Sequence, residues 1–261
     1  AGEEERTGVS PFSMETITSR KNSRVQALRA LGRNKAYRRE QGLFLCDGEK
    51  LLSEALANGA DIAEIYLRGA KPAGNMPEVP VYSLSEDVFD YASPLEHSPG
   101  PLFTVRAKPL PERVRPDRVI VLENVQDPGN VGTILRTLDA FEADGLVLLP
   151  GCADPFSPKT VRSSMGAVFR RPVWTCTVET FAQVLRGSGL RLLGAALRDD
   201  TVDARAADYT RAVLAIGSEG RGLSDEVLAL CDETVRIPMS PRCESLNAAV
   251  AASVLLWEAY R

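Results

Sequence analysis

The chain reads as an α/β protein: a C-terminal domain built on a largely parallel sheet, preceded by a smaller α/β unit. Three observations point there. From Arg118 onward short apolar runs alternate with helical stretches, the stretch before it carries six prolines (94, 99, 101, 109, 111 and 116), and residues 43–107 repeat the strand and helix rhythm on a smaller scale. A strand followed by a helix and another strand is the signature of a crossover unit, and repeated crossovers cover both faces of a parallel sheet with helices.

The start, "AGEEERTGVSPFSMETI", is acidic and has no signal-peptide core. Residues 1–18 are therefore expected to be disordered, or partly added ahead of a native start at Met14. Between Ser19 and Gly42 the chain is basic: Arg20, Lys21, Arg24, Arg29, Arg33, Lys35, Arg38 and Arg39 stand against Glu40 alone. Val25, Leu28 and Leu31 keep helical spacing, which would place the bases on the outer face of one or two short helices. "LFLCD", a helix stopped by Gly59, "AEIYL", "VPVYSL", a helix near 84–91 and "LFTVRA" complete the small unit. It spans 19–107, and the proline-rich 108–117 reads as an extended linker.

The second domain, 118–261, runs "VIVLE", helix 132–142, "GLVLLP", helix 158–166, "PVWTC", helix 179–186 and "LRLLGAAL". It ends with "AVLAIGS", helix 223–230, "VRIPM" and a helix from Leu246. Composition narrows the function. With 261 residues, 44% of them apolar, the chain can bury a real core, while a net charge of -4 argues against a globally cationic nucleic-acid binder. Cys46, Cys152, Cys176, Cys231 and Cys243 are scattered and odd in number, which fits reduced thiols in a cytoplasmic protein and no metal site. No apolar run is long enough to span a membrane.

Three strand-to-helix junctions collect unusual polar residues. In "ENVQDPGNVGTILRTLDAF", Asp-Pro-Gly and Gly132 allow close backbone approach and Asn130 can cap the helix, but none of this accounts for Arg136. In "AIGSEGRGLSDEVL" the glycines form no P-loop, and Glu219 would repel phosphate while accepting from a hydroxyl, amide or guanidinium; a helix-capping role is the alternative. In "IPMSPRCESLNAAVAASVLLWEAYR", Ser245 can be the N-cap of a helix apolar on nearly every face, and Asn247 then needs a partner at its buried start. An acid about 20 residues beyond a first glycine turn, as a nicotinamide site requires, is missing.

Together these junctions resemble the three signature motifs of the SpoU family of RNA 2′-O-ribose methyltransferases: N-x-G-x-x-x-R, G-S-E-G-x-G-L, and I-P-M followed by S-L-N-x-x-V-A. The resemblance implies S-adenosylmethionine as cofactor, a homodimer, and a SPOUT fold whose C-terminal part threads a trefoil knot. It implies that Asn130, Arg136, Glu219, Ser245 and Asn247 face the RNA ribose, and that Gly217, Ile237, Met239 and Leu246 cradle the cofactor. "SSMGAVFRRPV" also resembles a family stretch, which implies Ser164 and Gly166 at the target pocket. Contacts of Arg242 and Glu244 stay open. Residues 19–107 look like the substrate-binding domain of ribosomal-RNA members, which gives Arg20, Lys21, Arg24, Arg38 and Arg39 an RNA-binding use.

The implied reaction transfers a methyl group to a ribose 2′-hydroxyl, in ribosomal RNA by preference. Transfer RNA, or a catalytically silent RNA-binding assembly protein, are the alternatives. His97, the only histidine, lies in a proline-rich loop and reads as a surface residue. A guanidinium is a poor proton acceptor, so Arg136 is expected to hold phosphate and meet charge developing on the 2′-oxygen. Asn130, Ser245 and Asn247 would orient the hydroxyl. Glu219 is either an orienter of Arg136 or a proton acceptor.

Overall fold

The computed structural model describes residues 14, 16–69, 77–108, 118–243 and 245–260. The N-terminal unit runs β1 (Thr16–Ile17), α1 (Ser23–Arg33), α2 (Lys35–Gln41), β2 (Leu43–Asp47), α3 (Glu49–Ala57), β3 (Ile62–Arg68), β4 (Val81–Leu84), α4 (Glu86–Ala92) and β5 (Leu102–Arg106). Its sheet has the order β1-β4-β3-β5-β2, with β5 antiparallel to both neighbours. The expectation of a disordered or added 1–18 is corrected at Thr16 and Ile17, while 1–13 and 15 lie outside the described residues. Thr16 and Ile17 pair in parallel with Ser83 and Leu84, because Ile17 buries its side chain in the core beneath α1 and α4. The linker expected over 108–117 lies, apart from Lys108, outside the described residues.

The C-terminal unit runs β6 (Val119–Leu122), α5 (Pro128–Ala140), β7 (Gly145–Leu148), α6 (Pro158–Ser163), α7 (Ala167–Arg170), β8 (Val173–Thr175), α8 (Val178–Ser188) and β9 (Arg191–Ala195). It closes with β10 (Val202–Asp203), β11 (Ala212–Ile216), α9 (Asp225–Leu228), β12 (Glu233–Arg236) and α10 (Ala248–Tyr260). Seven strands in the order β10-β12-β9-β11-β6-β7-β8 pair in parallel throughout. Each strand's alternate residues feed opposite cores. Ile120, Leu122, Leu146 and Leu214 pack toward α5 and α10, while Val119, Val121, Val213 and Ala215 pack toward α8 and α9.

Helix starts follow local chemistry, with one reassignment. Asp127, not Asn130, caps α5: its Oδ1 accepts from the Asn130 N–H at 2.9 Å, and Pro128 takes the first helical position, where its missing N–H costs nothing. The helix thus begins four residues before Gly132, and Arg136 lies more than two turns in. Gly132 faces α6, where a Cβ would come within 2.5 Å of Ser163 Cβ and the Thr160 carbonyl oxygen.

The two units share a core. Phe44 stacks on Phe156 at 4.9 Å between centroids and on Phe169 at 6.3 Å, joining β2 to the chain around α6 and α7. Arg38 completes the joint, contrary to the expectation that every base in 19–42 faces outward. It is 7% exposed, donates from Nε to Asp154 Oδ2 at 2.8 Å, pairs through Nη2 with the same oxygen at 2.6 Å, and donates from Nη1 to the Leu31 carbonyl. Its position on α2 turns it toward the neighbouring domain, so its charge is neutralised internally. Ser164 and Gly166 are also corrected, since neither lines an open cleft. Ser164 is fully buried inside the C-terminal unit, with its hydroxyl on the Val161 carbonyl at 2.7 Å and its backbone against Gly132 of α5, and Gly166 abuts Glu54 of α3 at the joint between the units.

Candidate active site

The carboxyl ends of β6 and β11 and the start of α10 meet around one carboxylate oxygen. Glu219 Oε1 accepts from Asn247 Nδ2 at 2.7 Å, from the Ala248 backbone N–H at 3.0 Å and from Asn130 Nδ2 at 3.1 Å. Asn247 Nδ2 also donates to Asn130 Oδ1 at 3.1 Å. The three residues therefore form a closed triangle, although they are 28, 89 and 117 positions apart pairwise. Glu219 was expected, outside its functional reading, to help cap the helix after Leu223. It sits instead at the N-terminus of α10, where a negative charge and an unsatisfied N–H stabilise one another.

Asn247 itself is the N-cap of α10, in place of Ser245: its Oδ1 accepts from Ala249 N at 2.9 Å and Val250 N at 3.3 Å. That fixes both ends of the amide. The oxygen is engaged with the helix and the nitrogen with Glu219 and Asn130, so the side chain is solvent-exposed yet held. Ser245, exposed two residues earlier, keeps its hydroxyl free among the described residues.

Two clefts adjoin this triangle and share Ser218, Glu219 and Ala248 as a common wall. One, of about 300 Å³, contains Gly217, Ile237, Met239 and Leu246 together with Ser245, and its remaining wall includes Ile216, Val235 and Leu255. All four residues expected to cradle the cofactor thus line one cavity. The other, of about 320 Å³, is polar, with Asn124, Gln126, Asp127, Asn130 and Arg221 around it. Gly217 is where the first cleft bends: a Cβ there would lie 2.0 Å from the Gly222 carbonyl carbon, so only glycine closes this loop.

Some expected residues lie elsewhere. Arg136 is exposed on α5, lines neither cleft, and makes no ion pair or hydrogen bond with the described residues. Arg242 is exposed and outside both clefts, and Glu244 is outside the described residues. Among the basic set, Arg20 lies over the Tyr91 ring and near Asp87, while Arg24 lies over Tyr82 and pairs with Glu64. Lys21 and Arg39 are exposed.

Glu123 is a site residue that sequence reasoning passed over. It is 8% exposed and accepts from Ser224 N and Ser224 Oγ, both at 2.7 Å, tying the end of β6 to the cap of α9 and thereby setting the loop that carries Glu219. The available signal was an acid directly after four buried apolar residues, a place where a carboxylate needs partners.

The geometry also limits the chemistry. Burial pushes the thiol of Cys152 up to about 11, and Cys231, with burial the leading cause and Asp232 adding to it, also to about 11. Burial raises Cys46 and Cys176 as well, so none of these four is a ready thiolate. Exposed His97 lies in the loop between α4 and β5, in the other unit. Among the described residues no group of three or more His, Cys, Asp or Glu is placed to hold a metal ion, and no helix is long and apolar enough to cross a membrane.

Comparison with known proteins agrees with the motif resemblance. The model of the SpoU rRNA Methylase family matches residues 117–257, and that of the MRM3-like substrate binding domain matches 22–102. A 23S rRNA (guanosine(2553)-2′-O)-methyltransferase of Bacillus subtilis is 32% identical, covering 94% of this chain and 98% of its own. A 23S rRNA (uridine(2479)-2′-O)-methyltransferase of Streptomyces viridochromogenes is 33% identical over 94% of this chain and 91% of its own. The crystal structure of an AdoMet-bound rRNA methyltransferase from Sinorhizobium meliloti superposes with a TM-score of 0.84 at 31% identity, covering 94% of this chain and 97% of that one. Motifs, site and matches along nearly the whole length converge: the chain belongs to the SpoU rRNA methylase family.

Proposed function

We propose that this chain is an S-adenosylmethionine-dependent methyltransferase that modifies a ribose 2′-hydroxyl of ribosomal RNA. The observation that carries the reading is the shared wall: Glu219 stands between an apolar cleft holding the four expected cradle residues and a polar cleft open to solvent. When bound, S-adenosylmethionine supplies a sulfonium methyl group, whose leaving group needs no acid. The apolar cleft fits it, since Ile216, Val235, Ile237, Met239 and Leu246 offer apolar surface for the nucleoside while strand ends offer backbone polar groups.

The chain's own residues have two tasks, to align the hydroxyl and to help remove its proton. Oε1 of Glu219 is filled by three N–H donors, so its Oε2 is the oxygen left to accept from a substrate hydroxyl. Asn130 and Asn247 hold that carboxylate in place, and Ser245 lines the apolar cleft with it. Glu219 therefore reads as the acceptor that orients the hydroxyl, and no contact among the described residues joins it to Arg136 within one chain.

A homodimer belongs to the same reading and gives Arg136 its place. α5 and α10 lie together through Thr137 Oγ1 and Ser253 Oγ at 3.4 Å and through Phe141 against Trp257, and this face exposes Val250 at 48% and Trp257 at 57%. Two such apolar residues on the helix pair that carries Arg136 suit a second copy, with the arginine acting across the interface. The family's trefoil knot is part of the proposal, supported by the return of the chain after β12 to the ends of β6 and β11. So is a cytoplasmic location, for which five free cysteines speak.

Residues 19–107 are proposed to select the RNA and 118–261 to carry the reaction, supported by the two family matches. The direct test is to supply the purified chain with methyl-labelled S-adenosylmethionine and ribosomal and transfer RNA from cells lacking it, then map the product. Labelled 2′-O-methyl nucleotide at one ribosomal position is expected. Label in transfer RNA alone would overturn the substrate, and RNA binding without product would leave only an assembly role. A second test concerns the exposed bases. Lys21→Glu with Arg39→Glu should lower the salt slope of RNA binding by roughly 1.5, two phosphate contacts' worth, at unchanged melting temperature. An unchanged slope would remove these residues from the RNA path.

A further inference from the structure

The N-terminal unit contains a cleft of about 310 Å³ between its sheet and helices α1 and α2, well apart in the fold from the Glu219 site. Arg24, Tyr37, Gln41, Glu64, Tyr66 and Thr104 supply its chemistry. Its floor contains a feature the fold does not explain. Thr104 is 2% exposed, yet its Oγ1 has no hydrogen-bond partner among the described residues, although buried hydroxyls are normally satisfied. Glu64 lies directly across the strand pair from Thr104 and is held by Arg24 on one oxygen and by the Tyr66 hydroxyl on the other. Burial, and then the bond to Glu64, push the Tyr66 phenol well above its ordinary range, so it stays a donor.

The chemistry selects the class of ligand. A phosphate is disfavoured, because Glu64 is an acid in the wall and Arg24 is already paired with it and laid 4.3 Å over the Tyr82 ring. What remains is a small slot with aliphatic Leu28 and Leu31 on one side and the Tyr37 ring beside them. A hydroxyl that can donate or accept lies at its base, and the exposed Gln41 makes no hydrogen bond with the described residues. Such a set reads the polar edge of a flat heterocycle, and RNA is recognised by sequence mainly through unstacked bases seated in this way.

We propose that this cleft is a nucleobase-reading subsite, which takes one unstacked base of the RNA substrate onto Thr104 and Gln41. The inference rests on the methyltransferase reading, and its test separates the two. Methyl resonances of Thr104, Ala27, Leu28 and Leu31 in the full chain would be followed during titration with each of the four ribonucleoside 5′-monophosphates. One of the four should shift them saturably at least fivefold more tightly than the weakest, and Thr104→Val, which keeps the shape and removes only an unpartnered hydroxyl, should abolish that preference. With the ribosomal RNA substrate, Thr104→Val and Gln41→Ala should each raise KM at least fivefold, with kcat within twofold and cofactor affinity and melting temperature unchanged. If no mononucleotide shifts these methyls, or if Thr104→Val binds and turns over like the parent, an ordered water fills the site and the subsite is wrong. Methyl transfer by the parent chain in the same assays would leave the enzyme assignment standing. Its absence would overturn that assignment instead.

Discussion

Arg136→Ala is expected to lower methyl transfer by at least about 100-fold, the loss seen when one preorganised electrostatic stabiliser is removed. Cofactor affinity should stay within a few-fold, because Arg136 does not line the apolar cleft. Melting temperature should also hold. The side chain is exposed and bonded to none of the described residues, and alanine favours the helix it occupies. Single-turnover rates with saturating cofactor, alongside thermal melts, check all three. A variant that melts several degrees lower but turns over normally when cold would make Arg136 a packing residue. The proposed dimer adds a sharper arm: if the arginine acts across the interface, mixing Arg136→Ala with Glu219→Gln should restore activity that neither variant shows alone. Mixed dimers that stay inactive would place Arg136 and Glu219 in the same chain's site.

How much of this was legible before the structure depends on the range of the interaction involved. The strands of the parallel sheet were readable because each is a short apolar run buried on both sides, as "VIVL" and "AVLAI" show. β1 and β10 were not, since two residues carry no periodicity and only pairing with a neighbour defines them. Capping errors were local and avoidable: Asp127 precedes a proline, the usual first helical residue, and that outranks Asn130. The cap of α10 was harder. Asn247 rather than Ser245 is selected because the helix start must also present an N–H to Glu219, a residue 29 positions away from Ala248. No window of sequence contains that constraint, so the triangle of Asn130, Glu219 and Asn247 was reachable only through resemblance to a family.

The joint between the two units was equally out of reach, and it changes how domain roles can be tested. A fragment beginning at Arg118 would uncover Val161, Phe169 and Asp154, so loss of RNA binding in it would mix misfolding with a missing domain. Point variants on exposed residues, such as Lys21 and Arg39, avoid that confusion.

Asp154→Ala should cost about 3–5 kcal/mol, because it leaves the Arg38 guanidinium buried without its counter-ion. The side chains of Arg38 and Asp154 are 8% and 12% exposed, so little solvent screening offsets the loss. For a chain of this size such a change lowers the melting temperature by roughly 10 °C. Asp154 Oδ1 also accepts from the Phe156 N–H at 3.0 Å, and losing that turn contributes to the same total. Arg38→Met separates the two effects, since it removes the charge from the other side and leaves the turn intact. The double variant should be less destabilised than the sum of the singles, because no lone charge is then buried. Arg39→Glu, one residue away but exposed, should change stability by no more than about 0.5 kcal/mol. Arg38 and Arg39 therefore part company: a change at the first is read in the unfolding midpoint, and a change at the second in the salt dependence of RNA binding. If Asp154→Ala unfolds at the same denaturant concentration as the parent while Arg38→Met flattens the salt slope, the pair is open in solution. Arg38 would then return to the RNA surface where its sequence neighbours first placed it.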